Sequence, residues 1–198
     1  MPVSKKSFIW ITRLMLPLLL LAPPAIAEMS MSERSLPADT VIAATFQAGS
    51  GLPVGKIQSV RGETYIFHRD PTVGYRAKPG LPLYQGDILH TRKNSRILCR
   101  LVDGSRLAMA PRTRLTLQQA SLNSARKSSR SFLSLKQGGA RFYVSPKPEF
   151  STFYFKVKTE TASIQAQAAD FVIKSDPGTT GNTEISAFEN SRLEAISL

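Results

Sequence analysis

Residues 96–117 read RILCRLVDGSRLAMAPRTRLTL, and the loop formed around Asp103-Gly104 decides how this segment folds. Every second residue on either side is apolar: Ile97, Cys99 and Leu101 before the loop, Leu107 and Met109 after it, then Leu115 and Leu117. Alternation of that period is the mark of half-buried strands. A two-residue loop at Asp103-Gly104 would set Cys99 opposite Ala108 and leave apolar residues on both sides. A three-residue loop of Val102, Asp103 and Gly104, with Gly104 in the left-handed conformation, pairs Cys99 with Leu107 and Ile97 with Met109. One apolar face results. Its reverse carries Arg96, Arg100, Arg106 and, beyond Arg112, Arg114. The same register sets Arg100 directly across from Arg106, and opposed like charges destabilise a strand pair unless something screens them. A chain that turned into a second layer at Gly104 would avoid that pairing. Cys99 is the only cysteine. It can form no intramolecular disulfide, and its place on the apolar face makes it a small core hydrophobe.

The same texture continues outward from this segment. GKIQSVRGETYIFHR, LYQGDILHT, SFLSLKQGGARFYV, STFYFKVKT, ASIQAQAADFVIK and NTEISAFENSRLEAISL are short alternating runs rich in β-branched and aromatic residues, separated by Gly, Pro, Asp, Asn and Ser. No stretch after residue 53 has a long helical face, so the expected fold class is all-β. Before it, residues 28–53 read as a polar leader closed by Gly49-Ser50-Gly51-Leu52-Pro53, with Thr40 to Phe46 open to either a strand or a short helix. A hydrophobic content of 42% with 20% charged residues is that of a folded chain, and 198 residues suffice for one domain with a real core.

Residues 1–27 place Lys5, Lys6 and Arg13 ahead of an apolar run, Leu14 to Ala22, and end on Ala25-Ile26-Ala27. This is the layout of a secretory signal, because the run falls well short of the roughly 20 apolar residues that a membrane-spanning helix needs. Cleavage is expected after Ala27, with an uncleaved N-terminal anchor as the alternative and no membrane span in the mature chain. The division is then 1–27 signal peptide, 28–53 leader and 54–198 domain. Removing the signal takes three basic and no acidic residues from 26 Lys+Arg and 14 Asp+Glu, which leaves a net charge of +9. A periplasmic or secreted protein of that charge favours anionic surfaces or an acidic protein face, and nucleic acid is not expected as a partner there. A charged exterior also keeps a β-protein soluble and discourages edge pairing.

Catalytic chemistry is not expected. The two histidines, His68 and His90, have no zinc-like spacing, and no serine lies in a nucleophile elbow. No phosphate-cradling glycine loop is present either, and neither a metal nor a cofactor is expected. Asp87 and Asp103 sit beside Gly86 and Gly104 and read as turn residues bonding their own backbone. SLNSARKSSRS, residues 121–131, reads as an exposed loop whose Arg126, Lys127 and Arg130 extend the arginine stripe. The candidate anion- or partner-binding residues are therefore Arg96, Arg100, Arg106, Arg112, Arg114, Arg126, Lys127 and Arg130. Two classes of ligand remain open: an envelope protein, or an anionic envelope polymer such as a glycan or lipopolysaccharide.

The order of GKIQSVRGET (55–64), LYQGDILHT (83–91), NSRILCRLVDGSRLAMAPRTRLTL (94–117), LSLKQGGARFYV (133–144) and VKTETASIQ (157–165) resembles the FecR-type domain over roughly residues 54–198. In that family a "GD…T" turn precedes a DGS unit, a glycine-bearing strand pair and a final approach to "TPxA". The resemblance implies a domain of stacked short strands, solenoid-like or sandwich-like, outside the cytoplasm. Founding members are periplasmic parts of transmembrane sigma-factor regulators that receive a signal from an iron-siderophore receptor. With an exported start in place of a cytoplasmic segment and membrane helix, this chain is expected to relay nothing by itself, and to act as a non-enzymatic binding or scaffold module or as an accessory to such a system. Two departures stand out. Gln167-Ala168-Ala169-Asp170-Phe171 replaces an "RGT-x-F" element, and Asn190 takes the place of a turn glycine, as the next best residue for a left-handed turn.

Overall fold

In a computed structural model of the chain, which describes residues 36, 40–68, 70–145, 148–176 and 181–198, the hairpin around Asp103 has the three-residue loop. Cys99 pairs with Leu107, Ile97 with Met109 and Arg100 with Arg106. The Leu101 N–H donates to the Ser105 carbonyl, the Gly104 N–H to the Leu101 carbonyl, and Gly104 has φ +87°. All seven expected inward residues, Ile97, Cys99, Leu101, Leu107, Met109, Leu115 and Leu117, are buried, and Arg100 and Arg106 face solvent. The buried Cys99 thiol is pushed up to about 12 by desolvation, far from any thiolate chemistry.

The described residues are all-β. In chain order the strands are β1 (Val41–Ala43), β2 (Gly55–Arg61), β3 (Thr64–Phe67), β4 (Val73–Arg76), β5 (Pro82–Leu83), β6 (Ile88–Thr91), β7 (Arg96–Leu101), β8 (Arg106–Met109), β9 (Arg114–Asn123), β10 (Ser128–Val144), β11 (Thr152–Lys158), β12 (Ala162–Asp176), β13 (Asn182–Ala187) and β14 (Arg192–Ser197). Together they form one continuous sheet that folds over itself. A first layer runs β1-β4-β3-β6-β9-β10-β11-β12-β14. A second runs β5-β2-β7-β8-β10-β12-β13. The two layers share β10 and β12, whose first halves pair in one and second halves in the other. Strands that bend from one sheet into the next form the corners of a sandwich.

Of the two architectures expected, this is the sandwich. A solenoid needs parallel ladders from coil to coil, and among the described strands only β1–β4 and β10–β11 are parallel. One apolar cluster fills the fold, with Leu89, Leu115, Phe155 and Ile164 from the first layer and Ile57, Ile97, Cys99 and Ile173 from the second. The Phe142 ring joins them, stacked on Phe171 at 5.3 Å and edge-on to Phe155 at 6.1 Å.

Several sequence readings change in three dimensions. LSLKQGGARFYV is not a strand pair but one 17-residue strand, β10, bent at Gly138. Residues 121–131 are not a loop, because β9 and β10 continue through them as a hairpin with only Ser124–Lys127 at its tip. Ser129 and Ser131 are buried there. GKIQSVRGETYIFHR supplies two strands to different layers, with β2 on β7 and β3 on β4 and β6. Thr40 to Phe46 contributes a strand, β1, which lies in the stretch read as leader. Asn190 has φ +62°, the left-handed turn expected of it. Residues 1–27, read as a signal peptide, lie outside the described residues.

Asp103 joins the layers. Its Oδ1 accepts the Ser105 N–H at 2.8 Å, as a turn aspartate should, and its Oδ2 accepts the Ser131 hydroxyl of β10 at 2.7 Å. Both side chains are buried. Asp103→Ala strands both donors and should cost about 2 kcal/mol, read as a lower urea midpoint at unchanged slope. Asp103→Asn keeps an acceptor at Oδ1 and puts an amide against a hydroxyl that can accept, so it should lose less than about half as much.

Candidate binding face

The outward side of the second layer is built by the same alternation that buries its inner side. Antiparallel register aligns Lys56 of β2 with Arg100 of β7 and Arg100 with Arg106 of β8. It continues from Arg106 to Tyr143 of β10 and from Tyr143 to Asp170 of β12. Four residues along β7, past the register shift in β2, Arg61 of β2 aligns with Arg96 of β7. Strands in a sheet lie about 4.8 Å apart, so cations occupy adjacent rungs with nothing between them. Among the described residues none of Lys56, Arg61, Arg96, Arg100 and Arg106 has an ion-pair partner. The ion pairs of this face lie further along, where β10, β12 and β13 meet. Arg141 grips Asp170 with two bonds of 2.8 and 2.7 Å, and Lys174 reaches Glu184 at 3.1 Å.

Aromatic rings adjoin the cations. The Arg106 guanidinium lies 4.4 Å from the centre of the Tyr143 ring, and that of Arg141 lies 4.4 Å from the centre of Phe188. Tyr143 is 38% and Phe188 48% exposed, so both rings remain open to a partner. Arginine and tyrosine in one exposed patch are the side chains most enriched in binding hot spots. The Arg141 hydrogen bonds, followed by its charge and that of Arg106, hold Asp170 below the ordinary carboxylate range. Asp170 stands in the segment that departs from the family's "RGT-x-F" pattern, and register places it beside Tyr143 at the end of the row.

The eight candidate residues do not share one surface. Arg96, Arg100 and Arg106 lie together on the second layer. Arg114 pairs with His90 and Gln137, and Arg130 with Ser121 and Tyr154, in the first layer. Arg112 occupies the turn between β8 and β9 with φ +55°, and Arg126 and Lys127 cap the β9–β10 hairpin. Sequence reasoning missed Lys56, Arg61, Arg141 and Tyr143, which long-range register brings to the row.

It also missed a half-buried cluster in the first layer. His68 Nδ1 lies 2.7 Å from Asp87 Oδ1 and Nε2 lies 2.8 Å from the Gln47 carbonyl, inside a ring of Phe46, Tyr75 and Tyr84. Asp87 also accepts the Tyr84 N–H at 2.8 Å, the turn bond expected of it. Burial is the largest influence on Asp87 and raises it above the ordinary range, against the hydrogen bonds from His68 and Tyr84. With a hydrogen-bond partner at each ring nitrogen, His68 ties the β1 segment to the domain and offers no nitrogen to a substrate. Among the described residues no group of His, Cys, Asp and Glu is placed to hold a metal ion, and no helix is long and apolar enough to cross a membrane.

Comparison with known proteins places this geometry. No curated protein sequence matches the chain. Two crystal structures of a candidate anti-sigma factor from Parabacteroides distasonis are similar at 13% and 12% identity, with TM-scores of 0.35 and 0.36. Each comparison covers 56% of this chain and 59% of that one, so the chain spans less than two thirds of the length of these relatives. The profile of the FecR protein family matches residues 87–191, from the Asp87 turn through β13 to the turn at Asn190. The chain therefore belongs to the FecR family.

Proposed function

We propose that the protein is a non-enzymatic binding module of the cell envelope, periplasmic or secreted, and that a protein partner docks on the outer face of its second layer in an accessory role to signalling. The observation that carries this reading is the unpaired run Lys56–Arg100–Arg106, ending on the exposed Tyr143 ring. Like charges on adjacent rungs cost stability in the free protein and are relieved by an anionic partner. The aromatic end supplies the apolar anchor that a protein interface needs at its centre. The other candidates, Arg112, Arg114, Arg126, Lys127 and Arg130, form the rest of the basic exterior.

The test is capture from an envelope extract on immobilised protein, at low and raised salt, with identification by mass spectrometry. A defined protein should persist at raised salt and fall by about tenfold or more with Arg100→Glu/Arg106→Glu, because removing attraction and adding repulsion act together. Retention of glycan or lipopolysaccharide alone, vanishing with salt, would replace the protein partner by an anionic polymer. No difference between the parent and the variant would remove the face from the function altogether.

A further inference from the structure

The second layer has an open edge beside the cationic row. β5 pairs only with Gly55 and Lys56 of β2, and the chain beyond it adds backbone bonds only as far as Ile57. From Gln58 to Arg61, β2 has β7 on one side and, among the described residues, no backbone partner on the other. Over the part of β2 that β5 covers, a groove of about 560 Å³ is lined by Pro53, Lys56, Gly80, Pro82, Arg100 and Val102. A Cβ built at Gly80 would meet nothing within 4 Å, so the groove is open there. The edge and the groove share one charge sign: Lys56, Arg61, Arg96 and Arg100 are cationic, and none has an ion-pair partner among the described residues.

We infer that this edge takes an extended acidic peptide segment of the partner, which adds to β2 as a strand along Gln58–Arg61 and enters the groove with a carboxylate facing Lys56 and Arg100. The inference rests on the proposed docking face and names the chemistry of what docks there. Free edge N–H and C=O groups recognise peptide backbone, which a glycan does not present. Alternate side chains of an added strand point to the outer face, where carboxylates meet Arg61 and then Arg96 on the next strand. A second copy of this chain is the wrong occupant, since it carries a net charge of +12 and the same cationic edge, and so does not supply the carboxylates that Lys56, Arg61, Arg96 and Arg100 lack. The shift in register between Ile57 and Ser59 and the charges on β2 guard the edge against indiscriminate pairing, and an acidic strand is the kind these guards admit.

The probe is a short fluorescent peptide of alternating Glu and Val, compared with the same peptide N-methylated at every second residue and with an alternating Lys and Val peptide. Fluorescence polarisation should show the Glu peptide bound, the N-methylated one weakened by about tenfold or more, and the Lys peptide unbound. Arg61→Glu, an exposed change checked by an unchanged melting profile, should weaken the Glu peptide by a similar factor. Amide hydrogen exchange should slow within Gln58–Arg61. Equal binding of methylated and unmethylated peptides, absence of protection at Gln58–Arg61, or no binding of the Glu peptide overturns the inference. This assay uses no envelope partner. Capture of a partner with the β2 edge left unprotected therefore defeats the edge site alone, whereas peptide binding without any captured partner defeats the docking-face reading alone.

Discussion

Replacing Gly138 by alanine will lower the melting temperature of the domain by on the order of 10 °C, whereas the same change at Gly139 will leave it nearly unmoved. Gly138 has φ +85°, and a Cβ there would lie 2.4 Å from Thr113 Oγ1, 2.6 Å from Thr113 Cα and 2.7 Å from the Arg112 carbonyl. Two of those three atoms are backbone and cannot rotate away. Thr113 is itself fully buried, and its hydroxyl accepts from the Gly139 N–H and donates to the Gly139 carbonyl, both at 3.0 Å. Left-handed backbone costs an alanine about 1–2 kcal/mol, and displacing Thr113 breaks buried hydrogen bonds costing about 1–3 kcal/mol more. At Gly139 the nearest atom to a new Cβ is 3.6 Å away, an ordinary contact, and the backbone is one that alanine adopts. A lower entropy of the unfolded chain even favours that variant slightly. Thermal unfolding of the two variants decides the matter: matched shifts would show that the bend of β10 is not held by Thr113.

The bend explains why part of the fold was legible in the sequence and part was not. The hairpin from Arg96 to Met109 is decided by residues a few positions apart, so alternation and one glycine suffice to set its register. Gln137-Gly138-Gly139 carries an equally strong local signal, but a left-handed glycine serves a reversal and a corner alike. Only Thr113, far away in sequence, makes it a corner. Residues 121–131 read as a loop because their inward positions are serines. Ser131 belongs in a strand because Asp103 waits across the layers to receive its hydroxyl, a partner 28 residues distant. The arginine stripe failed in the same way. Arg100, Arg106 and Arg114 obey one alternation, but between Arg106 and Arg114 the chain leaves the second layer for the first through the turn at Arg112. Period-two patterning reports which side of a sheet a residue faces and says nothing about which sheet. The cations that do share a surface are joined by pairings such as Lys56 with Arg100, which no local pattern announces.

Acidification from pH 7 to about pH 4 will cost the domain on the order of 2–3 kcal/mol through His90 alone. His90 lies in β6 between Tyr65 and Arg114 and is only 5% exposed. Burial first, then the positive charges of Arg114 and Arg92, lowers it from 6.5 to about 4. The folded state thus keeps the ring neutral down to about pH 4, while the unfolded chain takes up its proton below about 6.5. Between those values the unfolded state binds more protons, so stability falls as pH drops through the window and this contribution levels off below it. Asp87 acts in the opposite sense. Its carboxyl is raised by burial, so the folded state holds its proton more tightly, and the stability this lends in acid fades as pH rises. Urea midpoints across the window measure both together, and His90→Gln isolates the histidine by removing its share of the slope. Arg114→Gln should move the histidine partway back toward its ordinary value, because it deletes one of the two like charges and leaves the burial in place. In the parent protein the His90 ring resonance should titrate near pH 4. A midpoint near 6.5, or an acid slope that survives His90→Gln intact, would mean that the ring is hydrated and that the row Tyr65–His90–Arg114 does not enclose it.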